Sequence, residues 1–380
     1  LAGQAPHRRS RLSSNVRPQS HTSMARNKTP SPLNTVFVVG AGASKEADLP
    51  IGSDLTALIS ECLSFRRERG SQRTGDALIY EALGLAAKSG QYGNRPFTDY
   101  IGAAQRISRA MPQAMSIDNF LDVHNEDALV ELCGKLAIVR SILLAEAKST
   151  MRVRLTDTGP TLSFKDSSST YFSVLFQLIT ENCKFADLPN RLRQLGFVIF
   201  NYDRCIEHYL HYAICNYYAV DERDATEALR DLQVFHPYGT VGSLPTQLNG
   251  PLVALGAEPT ARQLLDLASR IKTFTEGTNP LQSDILSLRS MVAASTRVVF
   301  LGFAFHKLNL QLLAPELTAT RPSPTKRIFG TAHGISVSDL ELISNDIASR
   351  LGSSPQNVAL RRDLKCADLF AEYRRSLSFV

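Results

Sequence analysis

No stretch of about 18 consecutive apolar residues occurs anywhere in this chain, so no membrane-spanning helix is expected. Its cysteines, Cys62, Cys133, Cys183, Cys205, Cys215 and Cys366, are widely spaced and never form a Cys-x-x-Cys pair. That spacing argues against a zinc ribbon and a disulfide framework, and it fits a reducing cytoplasm. Acidic residues are missing before Thr35, where Arg8, Arg9, Arg11, Arg17, Arg26 and Lys28 all lie. Setting those six aside leaves 36 basic residues against 36 acidic ones, so the net charge of +6 belongs to a tail and the body is formally neutral. Nucleic acid is therefore not expected as a partner of the body, because it needs a basic field on the folded domain itself. Residues 1–34, rich in Arg, Ser and Pro, have the composition of a transit peptide, yet they begin at Leu1 and carry no apolar stripe. The natural start is expected at Met24, with 1–34 a disordered basic leader or an artefact of the reading frame.

What the chain does have is enough apolar residue, 43% with 18 Phe and 11 Tyr, to bury a core. Its 380 residues suit one large domain with insertions, or two domains. The stretch around which the rest is arranged is Thr35, Val36, Phe37, Val38 and Val39 running into Gly40, Ala41, Gly42, Ala43 and Ser44. It predicts a buried parallel strand that turns sharply under a ligand. Glycine lets backbone N–H groups approach a pyrophosphate, and a following helix offers its positive end. The third glycine of the dinucleotide fingerprint is absent, and Leu49, Pro50, Ile51 and Gly52 interrupt the helix. A tight turn with no ligand is the plain alternative.

Helical periodicity follows over 54–65, with Ser53 as its N-cap, then over 77–88, 97–111, 117–123 and 127–149. The stretch of about 53–195 reads as a helical insertion packed over a sheet. Strands are expected at 196–200, 232–235, 297–301 and 326–331, with helices at 261–272, 282–294, 336–350 and 361–377. The fold class is therefore α/β, a Rossmann-like parallel sheet over 35–335 with a large helical insertion, followed by a C-terminal helical segment at 336–380. No internal repeat is visible. In such sheets ligands bind beyond the carboxyl ends of the strands. Four strand ends are small or polar: Gly40 to Ser44, Asn201 to Asp203, His236 to Gly239, and Gly302.

Those residues match one chemistry, the breaking of the bond between nicotinamide and ribose. It requires a cradled pyrophosphate, a positioned water and a base, and no metal. Asn201 is the candidate to orient water, Asp203 to meet the nicotinamide side and His236 to take a proton while neutral. Gly40, Ala41, Gly42, Ser44, Gly302, Phe303 and Asn309 are the candidates for holding NAD. Each has a structural alternative: Asn201 to Asp203 as a helix cap, His236 as a turn residue before Pro237, Ser44 as a cap, Asp118 as a helix start and Tyr202 as core.

Taken together, Gly-Ala-Gly-Ala-Ser at 40–44 with Leu-Pro-Ile-Gly after it, Ser-Ile-Asp-Asn-Phe-Leu at 116–121, Phe-Asn-Tyr-Asp at 200–203 with Glu207 following, and Val-Phe-Leu-Gly-Phe at 299–303 resemble the sirtuin-like domains of bacteria. These are NAD-consuming relatives of the sirtuin deacylases, found in antiphage defence. The resemblance spans roughly 35–313. It implies a cytoplasmic NAD+ glycohydrolase in which Asn201 and Asp203 match the family's Asn-x-Asp and the first glycine motif its phosphate loop. NAD+, further copies of the chain or a defence-system partner protein are the partners it implies. Pro50 to Ser53 stand where deacylases carry Asp-Phe-Arg, and a four-cysteine zinc module is missing, so deacylation is the weaker reading. The family's histidine directly precedes a glycine; here Tyr238 precedes Gly239 and His236 lies two residues earlier. A non-catalytic module that senses NAD+ or ADP-ribose is the rival, and a redox enzyme on the same fold ranks last.

Overall fold

Strand β1 (Thr35–Val39) is buried along its whole length, as five apolar or β-branched residues between two neighbours should be. The structure, a computed structural model, describes residues 34–66, 74–156, 159–247, 252–279, 284–315 and 325–379. The expected leader, the expected start at Met24 and part of the loop after Gly242 lie outside them.

On one side of β1 runs β4 (Leu195–Ile199), and beyond it β5 (Gln233–Phe235); the hairpin β2 (Arg154–Thr156) and β3 (Gly159–Thr161) stands apart as an antiparallel pair. On the other side lie β6 (Arg297–Leu301), β7 (Arg327–Thr331) and β8 (Val358–Arg361). The sheet order is β5-β4-β1-β6-β7-β8, and every pairing is parallel. Counting only the strands of this sheet, that is the 3-2-1-4-5-6 winding of a Rossmann fold, whose winding reverses between β1 and β6.

Register then decides where the strand ends fall. Val39 pairs with both Ile199 and Leu301, so Gly40, Phe200 and Gly302 leave the sheet on one level. Val198 pairs with Phe235, which puts His236 level with Ile199. Within the sheet, Phe37 stacks on Phe197 at 5.2 Å between ring centroids, and it meets Phe370 of the helix Cys366–Glu372 at 5.9 Å.

The insertion between β1 and β4 is helical, with helices at Gly52–Cys62, Ala77–Ser89, Phe97–Ala110, Ile117–Val123 and Ala128–Glu146 among others. Ala128–Glu146 is apolar on nearly every side and correspondingly buried. Ser53 is not the N-cap expected of it: the helix begins at Gly52, and Asp54 accepts the Ile51 N–H at 3.3 Å. The C-terminal helix expected over 361–377 is likewise corrected. Residues Val358–Arg361 form β8 on the sheet, and helix resumes only at Cys366–Glu372 and Arg374–Leu377. No helix among the described residues is long and apolar enough to cross a membrane.

Candidate active site

The turn after β1 and the turn after β6 touch across the point where the winding reverses. Gly40 N–H donates to the Leu301 carbonyl at 2.9 Å, and Gly42 N–H donates to the Gly302 carbonyl at 2.9 Å. A Cβ on Gly40 would stand 2.5 Å from the Gly302 oxygen, and one on Gly42 2.8 Å from it. The glycines therefore serve the packing of one turn on another. This corrects the expectation that the amides of Gly40 and Gly42 face a phosphate, because both are already spent on carbonyls. Ala41 and Gly42 are the parts of the turn that reach solvent. Gly302 is held in the left-handed region at φ 54°, and its N–H donates to Thr331 Oγ1 at 2.8 Å.

From this floor rises a line of hydrogen bonds. Ser44 Oγ donates to Asp203 Oδ2 at 2.7 Å, and Asn201 Nδ2 donates to Ser44 Oγ at 2.6 Å. The directions are fixed by chemistry. A carboxylate only accepts, so the single hydroxyl proton of Ser44 goes to Asp203 and its oxygen must accept from the amide of Asn201. Asn201 Oδ1 is left with no partner among the described residues. Asp203 uses its other oxygen to accept the Cys205 N–H at 3.1 Å, at the start of the helix Cys205–Tyr218. The N-cap of that helix is Arg204, so Asp203 stands just outside it and belongs to the cluster. Its two oxygens are engaged, so it anchors Ser44 instead of standing open beside a nicotinamide.

His236 arrives from β5 as the first residue of a turn closed by Gly239 N–H donating to the His236 carbonyl at 3.0 Å. Gly239 has φ 77°, and a Cβ there would lie 2.0 Å from the Arg270 oxygen. Tyr238 is buried and its hydroxyl donates to Asn309 Oδ1 at 2.6 Å. His236 Nε2 lies 2.8 Å from Glu207 Oε1, and Nδ1 lies 3.5 Å from the backbone oxygen of Asn201. Burial works against the charged ring, but the adjacent Glu207 carboxylate, with smaller help from Asp203 and the Asn201 carbonyl, outweighs it, so the pKa of His236 stands above its ordinary value. A ring that is neutral at pH 7 was the expectation; paired with Glu207, it holds its proton to higher pH.

The remaining candidates fall around this centre. Phe303 is buried in an aromatic group with Phe200 at 5.0 Å and Phe305 at 5.3 Å, and so acts as core. Phe305 adopts φ 56°, a costly conformation for a bulky side chain and one that concentrates at functional sites. Asn309 sits in the first turn of Lys307–Leu313. Helix Ile117–Val123 starts at Ser116, which accepts the Asn119 N–H at 3.1 Å, and Tyr202 donates its hydroxyl to Asp118. Burial raises the Asp118 pKa against the lowering effect of that bond. Glu207 has no role from its sequence alone; the signal available was its place in the first turn of a helix that follows Asn201 to Asp203.

The cluster is closed: Ser44 is 2%, Asp203 4% and Asn201 8% exposed. A cavity of about 80 Å³ lined by His236, Pro237, Lys272 and Asp284 has room for water and not for a dinucleotide. A cavity of about 630 Å³ is lined by Lys45, Leu49, Pro50 and Asp54 after the glycine turn and by Ser141 and Lys148, and by none of the cluster residues. Compared with known proteins, the chain matches no family model, no curated protein and no solved structure.

Proposed function

We propose that this chain is a sirtuin-like NAD+ glycohydrolase that cleaves NAD+ to ADP-ribose and nicotinamide. One observation carries the reading: Ser44 and Asp203, from two neighbouring strand ends, are joined through hydrogen bonds to Asn201 at the carboxyl edge of the sheet, and His236 from a third end lies against the backbone of Asn201. In the reaction the bond from ribose C1′ to the nicotinamide nitrogen breaks. Its electron pair leaves with nicotinamide, and C1′ becomes cationic. The oxygen of water then bonds to C1′, and one water proton passes to a base. Asn201 Oδ1, unclaimed among the described residues, orients that water or a ribose hydroxyl; His236 is the base once it has lost its own proton. Ser44 and Asp203 hold Asn201 in place, and the turns at Ala41, Gly42 and Gly302 form the edge against which the dinucleotide lies.

A non-catalytic reading is favoured by one observation, that both ring nitrogens of His236 face acceptors in the closed cluster. In it the crevice holds NAD+ or ADP-ribose without cleavage. Incubation of purified protein with NAD+ across pH 6–9, with nicotinamide measured by chromatography and dinucleotide binding by calorimetry, separates the two. Release lost in Asn201→Ala and His236→Ala supports the enzyme; binding without release supports the sensor; neither binding nor release ends both. A part in antiphage defence rests on the resemblance alone.

A further inference from the structure

Glu207 occupies the first turn of the helix Cys205–Tyr218, with its side chain and that of His236 each 12% exposed. Its Oε1 takes His236 Nε2, while Oε2 is buried without a hydrogen-bond partner among the described residues. Such an arrangement adds little stability. A buried ion pair gains about what its desolvation costs, and an orphan carboxylate oxygen is a debit. For geometry it decides a great deal. An Nε2 that donates to Glu207 is committed, so the nitrogen able to exchange a proton with a ligand is Nδ1. Among the described residues its only partner is the Asn201 carbonyl at 3.5 Å, long for an N–H···O bond and easily surrendered.

We propose that Glu207 is the positioning residue for His236: it holds the ring by Nε2, presents Nδ1 toward Asn201, and sets the pH range in which that nitrogen accepts the water proton. This rests on His236 being the base of NAD+ cleavage. The other charged groups around the pair are Asp203, after β4, which acts on the ring, Arg204, which acts on Glu207, and Lys272 and Asp284, which line the small cavity with His236. Among them Glu207 alone makes a side-chain hydrogen bond to the imidazole. Burial is opposed by the mutual attraction of the pair, and the result is a raised His236 pKa and a lowered Glu207 pKa. Cleavage therefore gains speed as pH rises through the raised value, where Nδ1 is freed of its proton while Nε2–H stays on Glu207.

The test uses the full chain labelled with ¹⁵N in its histidine rings, with His236→Gln assigning the signal. In wild type the ring of His236 is expected to titrate above the ordinary value of about 6.5, with its neutral form protonated on Nε2. In Glu207→Gln the midpoint falls by about one unit or more, since an opposite charge at this range shifts a pKa by that much. The acid limb of nicotinamide release moves down with it, and the plateau falls about tenfold or more, a share of the ~10²–10⁴ that a positioned base supplies. Glu207→Asp, which keeps the charge at shorter reach, lies between, and it carries the same test if Glu207→Gln does not fold. A midpoint unmoved in either variant, or a neutral ring protonated on Nδ1, overturns the proposal. Should wild type release no nicotinamide at any pH, the cleavage reading falls on that assay, while the ring titration still decides whether Glu207 governs His236.

Discussion

Ser44 shows how much a single hydroxyl can fix at the scale of one residue. Removing it in Ser44→Ala leaves Asn201 Nδ2 and Asp203 Oδ2 without the partner each now has. The expected cost is about 1–3 kcal/mol in chemical denaturation, together with slower nicotinamide release, because the Asn201 amide loses the bond that orients it. A second residue gives a pH dependence. His208 is buried, donates from its ring to the Met151 carbonyl at 2.9 Å, and is pushed down to about 4, chiefly by burial. The unfolded chain takes up a proton near pH 6.5 that the folded chain refuses. Stability from this group is therefore complete above 6.5 and lost as pH falls through about 4, roughly 3 kcal/mol in all. Denaturation at pH 7 and pH 4 should show that loss in wild type and a smaller one in His208→Gln. Residue types at strand ends were legible: Ser44, Asn201, Asp203 and His236 come together as their positions predicted. What each touches was not. Sequence spacing gives a face and never a neighbour, so the Asp203 carboxylate closing on Ser44, and the Glu207 carboxylate on His236, had to be seen.

Elements meet through contacts that local patterning does not carry. The approach of the turns after β1 and β6 leaves no room at Gly302: its Cβ would lie 2.0 Å from Ala43 N, in a backbone conformation that alanine resists. Gly302→Ala should cost roughly 3 kcal/mol or more and weaken nucleotide binding along with stability, measured by thermal unfolding and calorimetry. The buried helix Ala128–Glu146 offers a second case. Its Lys135 reaches Glu276 at 2.9 Å, Arg140 reaches Asp76 and Glu258, each at 2.8 Å, and Glu146 takes Arg204 at 2.6 Å. Arg204 also donates to the Val253 carbonyl at 2.6 Å, and Glu146 accepts the Gly256 N–H at 2.9 Å. That pair thus ties the insertion to the loop around Val253 and to the residue beside Asp203. Glu146→Ala, which leaves Arg204 buried without its counter-charge, should lose about 3–5 kcal/mol by denaturation. Long periodic helices and five-residue apolar strands were legible because their pattern repeats. The four residues of β8 and the three-residue strands of the hairpin were not, since runs that short owe their form to the partner they pair with.

For the whole molecule, the order β5-β4-β1-β6-β7-β8 puts the reversal of winding beside the glycine turn, and the shared register sends three strand tips to one level. The α/β architecture followed from the alternation of strands and helices in the sequence; the strand order did not, because nothing local encodes which strand lies next to which. Closure of the cluster follows from the same packing; on the proposed reading, a dinucleotide enters by parting the turns around Ala41, Gly42 and Gly302. The most direct measurement is nicotinamide released from NAD+ by the purified chain at pH 8, beside Asn201→Ala shown to be folded at the assay temperature. Nicotinamide and ADP-ribose in equal amounts from wild type, with at least about a hundredfold less from the variant, is the predicted result. Equal release from both, or none from wild type, contradicts it.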